Sequence, residues 1–160
     1  MSCATPRHER GRKTDMSSDT PKLNDYFDEC LYFSISRLQR DINKLAENAF
    51  AETGLAPSHA FLLMALDETD ALSAGEISNL LGMAPSTITR FVDKLAKQDL
   101  CKRRVEGRVS LTSITPKGRA LMPAIRDGWM KLYYDYNGEY GEAEADHLNK
   151  TIVALNKRSM

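Results

Sequence analysis

The segment Met83-Ala84-Pro85-Ser86-Thr87-Ile88-Thr89-Arg90-Phe91-Val92-Asp93-Lys94-Leu95 sets the expectations for everything around it. Placed on a helix, Ile88, Phe91, Val92 and Leu95 fall on one side at i, i+3, i+4 and i+7. The other side carries Ser86, Thr87, Thr89, Arg90 and Lys94, short hydroxyls and long cations. Pro85 suits a first helical position, where its missing N–H would be unpaired anyway. An apolar stripe backed by hydroxyls and cations lets a helix pack inward while it reaches base edges outward. An ordinary amphipathic surface helix has the same pattern, so the neighbouring segments decide between the two.

Upstream, Ser73-Ala74-Gly75-Glu76 has the spacing of a capping box, in which Ser73 and Glu76 bond each other's backbone N–H. The short helix it starts is expected to bury Ile77, Leu80 and Leu81 and to stop at Gly82. Two short helices joined by a tight glycine turn make a helix-turn-helix. Downstream, Cys101-Lys102-Arg103-Arg104-Val105 and Arg108-Val109-Ser110-Leu111-Thr112 are β-prone runs around Glu106-Gly107, a tight hairpin. A basic hairpin directly after such a helix reads as a wing. Thr115-Pro116-Lys117-Gly118 returns the chain to helix.

Flanking helices complete the plan. Residues 24–52 form the longest periodic segment, with Leu31, Leu38 and Leu45, and Ile35, Ile42 and Ala49, recurring every seven residues. That is a helix-packing seam. At ~1.5 Å per residue it would run roughly 40 Å, more than a small domain needs for its own core, so part of it should meet another chain. Gly54 ends it, and Pro57-Ser58 opens a second helix with Phe61, Leu62, Ala65 and Leu66 inward. Asp67-Glu68-Thr69-Asp70 is a polar break. A fifth helix is expected over 117–137, with Leu121, Ile125, Trp129, Leu132 and Tyr136 inward. Pro123 should kink or interrupt it, and Asn137-Gly138 should stop it. The sixth helix, about 142–157, presents Leu148, Ile152 and Leu155 to a partner.

Composition is that of a soluble globular chain: 160 residues, 42% hydrophobic and 28% charged, with zero net charge. Any attraction for nucleic acid must therefore be local. It is local: residues 85–119 carry nine basic residues against three acidic ones, while Asp127, Asp135, Glu139, Glu142, Glu144 and Asp146 make the C-terminal part acidic. A basic patch on one segment is the footprint of phosphate binding. Three cysteines without paired spacing argue against a disulfide framework or a zinc site. No apolar run is long enough to span a membrane, and no apolar stretch follows the N-terminal arginines, so no secretory signal is expected. A cytoplasmic, reduced protein is expected. Residues 1–21 read as a flexible tail, with Met16 as an alternative start and Arg10-Gly11-Arg12-Lys13 as a solvated basic cluster. Metal-ligand spacings, phosphate-cradling glycine loops and a nucleophile elbow are missing, so neither enzymatic activity nor a cofactor is expected.

With these pieces in order, the chain resembles the MarR family of winged-helix repressors from about Leu23 onward. The strongest parts are Glu76-Ile77-Ser78-Asn79-Leu80-Leu81 and Ser86 to Leu95, with the wing and the Ile114-Thr115-Pro116-Lys117-Gly118 exit in support. The resemblance implies a mainly α fold with a small β-hairpin wing: a single domain over 22–160, with the winged helix-turn-helix at 58–118 and dimerisation helices at 22–54 and 119–160. It also implies an obligate homodimer held by the first, fifth and sixth helices, repressing from a pseudo-palindromic operator in double-stranded DNA. Ser86, Thr87, Thr89 and Arg90 map onto base- and phosphate-contacting positions, with Lys94 and Arg103 in the same basic patch. Arg104 or Arg108 maps onto the wing-tip arginine. The chain departs from the family at Ala84, where a capping Ser or Asp is usual, and in a shorter wing. Val109 and Leu111 are also out of alternation with Ile114, which predicts a bulge or register shift.

Family members release DNA on oxidation of a cysteine near the start of the first helix, or on binding a small aromatic or anionic ligand. Cys30 stands where the first could apply, with Arg37 able to favour a thiolate if it turned toward the sulfur; a small buried hydrophobe is the plain alternative. Phe33, Arg37, His59, Leu62 and Trp129 are the ligand-site candidates, although His59 also suits a cap or surface position and Trp129 a dimer core. A winged-helix module for protein–protein contact, without DNA binding, is the competing function.

Overall fold

The computed structural model describes residues 23–158, so the tail 1–21, its basic cluster, Cys3 and Met16 lie outside the described residues. Two compact units, divided between Leu38 and Gln39, make up the chain.

The expected continuous helix over 24–52 is three pieces: α1 (Leu23–Asp28), α2 (Leu31–Ala49) and a 3-10 turn at Ala51–Thr53. At the first break the Cys30 carbonyl accepts the Ser34 N–H at 3.1 Å, which starts α2 afresh. At the second, the Thr53 hydroxyl donates to the Phe50 carbonyl at 2.6 Å and accepts the Leu55 N–H at 3.1 Å. Such local side-chain bonds offer the backbone an alternative to the helix ladder. Gly54, at φ +67°, closes the turn as expected. Of the seven-residue seam, Ala49 is buried, whereas Leu31 and Ile35 are exposed.

The second unit continues with α3 (Pro57–Asp67), β1 (Leu72–Ser73), α4 (Ala74–Leu81), α5 (Pro85–Lys97), β2 (Cys101–Glu106), β3 (Val109–Ile114), α6 (Pro116–Ala120), α7 (Met122–Tyr140) and α8 (Glu142–Asn156). Its core joins Phe50, Leu62, Leu63 and Leu66 to Ile77, Ile88, Val92, Leu95 and Ile125, all but closed to solvent. Burying side chains of this size stabilises by about 1.5–3 kcal/mol each. The winged helix-turn-helix is thus anchored by the apolar stripe of α5.

Several expectations are corrected. The wing is part of a three-stranded antiparallel sheet in the order β1-β3-β2, because the residues just before α4 pair with β3, Leu72 with Thr112 and Ser73 with Leu111. The hairpin loop is Gly107-Arg108, one residue later than expected, with Gly107 at φ +62° in the first loop position, where a two-residue turn of the II′ kind puts glycine. The expected bulge is absent. Pairing runs unbroken from Cys101↔Ile114 to Glu106↔Val109, and the inward residues of β3 are Thr112 and Ile114 rather than Val109 and Leu111. On α4 the core takes Ile77 and part of Leu81, but Leu80 stands on the flank of a two-turn helix, 63% exposed. Pro123 does mark a break, since α6 ends before it and α7 begins beside it. Asn137-Gly138 does not stop α7. The stop is Gly141 at φ +85°, whose N–H donates to the Asn137 carbonyl at 2.9 Å. Trp129, expected inward, is exposed on α7.

Candidate nucleic-acid interface

The interface is built on the two helices and the hairpin. At the start of α4 the capping box is complete: the Ser73 hydroxyl accepts the Glu76 N–H at 3.3 Å, and the Glu76 carboxylate accepts the Ser73 N–H at 2.7 Å. That N–H, with the Ser73 hydroxyl second, holds the Glu76 carboxyl below its usual range. Gly82, at φ +62°, turns the chain, and Ser78 fastens the turn. Its carbonyl accepts the Met83 N–H at 3.1 Å, and its hydroxyl donates to the Met83 carbonyl at 2.5 Å.

No side chain caps α5 at Ala84, as the sequence implied; the Ala84 carbonyl accepts the Thr87 and Ile88 N–H groups. Ser86, Thr89, Arg90 and Lys94 are exposed and Thr87 is half-buried. The Thr89 hydroxyl donates to the Pro85 carbonyl at 3.0 Å, so its oxygen remains free to accept. Arg90 has no partner among the described residues.

The three wing arginines take different places. Arg103 turns back onto α5, where it pairs with Asp93 and donates to the Thr89 carbonyl at 3.1 Å. It fastens the wing strand to the helix that carries Arg90. Arg104 pairs with Glu106 along its own strand at 2.9 Å. Arg108 occupies the loop at the wing tip, exposed. Of the nine basic residues in 85–119, Arg103, Arg104 and Arg119 are in ion pairs. Arg90, Lys94, Lys97, Lys102, Arg108 and Lys117 have no carboxylate partner among the described residues. The local positive field survives folding.

Behind the wing, Asp99 takes a left-handed φ of +59°, a conformation that Asp adopts more readily than most residues. Its carbonyl accepts the Thr115 hydroxyl at 2.7 Å, and the same hydroxyl accepts the Gly118 N–H at 3.0 Å, capping α6. Cys101 is buried, its thiol directed at the Val92 carbonyl at 3.6 Å, and burial is the main cause that pushes that thiol up to about 11.

Residues 55–105, from the turn before α3 to the first wing strand, match the model of the MarR family. This segment is a MarR-family domain. Over 80–86% of its length the chain is similar to solved structures that extend beyond the MarR segment on both sides. One is a probable transcriptional regulator from Pseudomonas aeruginosa, at 24% identity over 80% of this chain and 98% of that one, with a TM-score of 0.72. Another is the transcriptional repressor CouR bound to a 23-mer DNA duplex, at 21% identity over 86% and 99%, TM-score 0.74. A third is BpsR of Bordetella bronchiseptica, whose DNA binding is regulated by 6-hydroxynicotinic acid, at 19% identity over 84% and 96%, TM-score 0.70. At these identities the likeness is one of fold. No curated protein matches the chain.

The effector candidates are divided between the two units, Cys30, Phe33 and Arg37 in the first and His59, Leu62 and Trp129 in the second. His59 and Leu62 are buried within the MarR segment, Leu62 wholly in the core and His59 against Phe91 of α5. His59 is therefore neither a cap nor a surface residue. In the first unit, Arg37 pairs with Asp28 at 2.7 Å instead of turning to Cys30, a charge-assisted bond to a carboxylate. Phe33 packs edge-on to Phe27 and Tyr32. Cys30 is half-buried at the junction of α1 and α2.

Sequence reading missed Ser78, Asp93, Asp99 and the Asp67 hub, which receives Arg119 at 3.2 Å and Arg126 at 3.0 Å. Asp93 carried a usable signal. It is the one acid on the otherwise cationic α5, and a strand with Arg103 and Arg104 follows it.

Proposed function

We propose that the chain is a sequence-specific, DNA-binding transcriptional regulator: a homodimeric, cytoplasmic repressor that reads a pseudo-palindromic operator. One observation carries the reading. The face of α5 opposite its buried stripe exposes Ser86, Thr89, Arg90 and Lys94, and the basic hairpin beside it is fastened to that helix by Arg103. In this reading α5 lies in the major groove, with Thr87, Thr89 and Arg90 toward base edges and Ser86 and Lys94 toward phosphates. Arg108, at the wing tip and without a carboxylate partner, enters the flanking minor groove, and Arg104 assists from the strand.

The dimer is supported by apolar side chains left in solvent. On α7 and α8 these include Trp129, Leu148, Ile152 and Val153. A groove of about 360 Å³ between α7 and α8 is lined by Ile42, Leu132, Tyr136, Tyr140, Leu148 and Ile152. Exposed apolar surface of this extent marks a protein interface. Among the described residues no helix is long and apolar enough to cross a membrane.

Release follows either a small aromatic or anionic ligand or oxidation of Cys30. Cys30 is the more accessible of the two described thiols, since Cys101 is buried.

The deciding experiment is a gel shift with the full chain on the DNA upstream of its own gene, with and without peroxide and reductant, together with sedimentation of the free protein. A retarded complex of a dimer is expected. A monomer that shifts no duplex would overturn the proposal and favour a protein-contact module. Cys30→Ser should abolish peroxide-induced release; a variant that still lets go would sink Cys30 as the sensor.

A further inference from the structure

His59 is an ionisable side chain that the DNA reading leaves unused, and it lies directly beneath α5. It occupies the first turn of α3 and is 6% exposed. Neither ring nitrogen has a hydrogen-bond partner among the described residues. The ring lies against Phe91 of α5, centroids 4.4 Å apart and planes tilted by 35°. Phe91 follows Arg90 directly and is two residues past Thr89, so the contact bears on the same turn of α5 that presents these two side chains. A buried polar group left unpaired is uncommon and calls for a physical reason.

We propose that His59 is a positioning residue for the recognition helix. Neutral, it packs under Phe91 and keeps α5 in its DNA-reading pose; protonated, it breaks that contact and weakens duplex binding. The proposal rests on the reading of α5 as the DNA-binding helix.

The surroundings give an imidazolium nothing to pair with. Burial is the larger cause that holds the His59 pKa below its ordinary 6.5, and Lys94, one turn beyond Phe91, pushes the same way. The carboxylates on neighbouring elements are engaged elsewhere: Asp93 of α5 by Arg103, Glu76 of α4 by Ser73, and Asp67 at the end of α3 by Arg119 and Arg126. Strand β3 has no ionisable side chain, and Arg90 and Lys97 of α5, Lys117 and Arg119 of α6 and Arg126 of α7 are cations. Asp127, early in α7, is exposed to solvent.

The sign follows from linkage. The native pKa is lowered, so any state in which the ring is released binds the proton more readily. The native contact is at full strength above the ordinary imidazole range and weakens as the pH falls below about 6.5 toward the lowered native value. This makes DNA release an acid response, independent of any thiol or ligand.

Two measurements on the full chain test it, each across roughly pH 5.5 to 7.5. One is hydrogen exchange of the α5 amides in the free protein, corrected for intrinsic rates. The other is affinity for duplexes that the protein itself selects from a randomised pool at neutral pH. In the wild type, α5 protection and affinity should fall together on acidification, affinity by up to about tenfold per pH unit below the ordinary imidazole pKa. His59→Phe should flatten both profiles, each variant being compared with itself at neutral pH. His59→Leu serves should the phenylalanine not fit. Protection of α5 that ignores pH in the wild type, or an acid limb that persists in the folded variants, would overturn the proposal. An α5 response that follows His59, in a protein that binds no duplex at any pH, would uphold the positioning role and sink the DNA reading instead.

Discussion

A β-carbon on Gly118 would lie 2.1 Å from the carbonyl oxygen of Leu100. That carbonyl also accepts the Thr115 N–H at 3.1 Å, so it is held from two sides and cannot step away. The close approach lets α6 start directly under the exit of the wing. Gly118→Ala should therefore destabilise by about 1–3 kcal/mol or more, as overpacking against rigid atoms does. Gly75→Ala on α4, where the new carbon would meet only the Ser73 hydroxyl at 4.0 Å, should be neutral or stabilising by up to about 1 kcal/mol. Urea midpoints of the two variants measure the contrast.

The capping box of α4 makes a second prediction. Ser73→Ala should cost about 1 kcal/mol of stability, the usual worth of such a cap. It should also let the Glu76 pKa rise part of the way, because the Ser73 hydroxyl is the second of the two groups that lower it and the first, the backbone N–H, is retained. The Glu76 contribution is present above the ordinary carboxylate range and is lost as pH falls through the lowered native value. A carboxyl NMR titration of Glu76 in wild type and variant reads this directly.

Much of the architecture was legible because local signals agreed with one another. Pro57, the Ser73–Glu76 spacing, Gly82, Pro85 and Gly107 each mark an element boundary that the structure keeps within a residue or so. The errors arose where tertiary contacts overrule a local pattern. The alternation Val109-Leu111 is apolar and looks inward, yet pairing with β2 and with Leu72 turns Thr112 and Ile114 to the core. Asn137-Gly138 has turn chemistry, but α7 continues through it to Gly141. Site residues on one helix face, such as Ser86, Thr89 and Arg90, could be read from spacing alone. The partners of Arg103 lie ten and fourteen residues away on another element, and no periodicity reports such a pairing.

Arg103 and Arg108 should separate by phenotype. Arg103→Gln should loosen the hold of the wing on α5, with faster amide exchange in β2 and weaker duplex binding. Paired with Asp93→Asn in a double-mutant cycle on stability, it should show a coupling of about 0.2–1 kcal/mol, the range for exposed pairs. Arg108→Ala, at the tip, should weaken duplex binding and leave the unfolding midpoint alone.

The thiols should differ in reactivity. Cys101 is buried and its pKa is pushed up to about 11, so at neutral pH it is almost wholly protonated. Cys30 is half-buried, between α1 and α2. Under native conditions an alkylating reagent should mark Cys30 well before Cys101, as peptide mass mapping would show. Equal labelling would mean that the wing strand opens readily from α5.

The central claim is that the exposed face of α5 reads DNA, and a salt titration of duplex binding by wild type and Arg90→Ala tests it most directly. The wild type should show a steep log–log slope, about −0.9 for each phosphate neutralised. Arg90→Ala should weaken binding by about 1–3 kcal/mol at fixed salt while the protein stays folded. Unchanged affinity and slope in a folded Arg90→Ala protein would contradict the account.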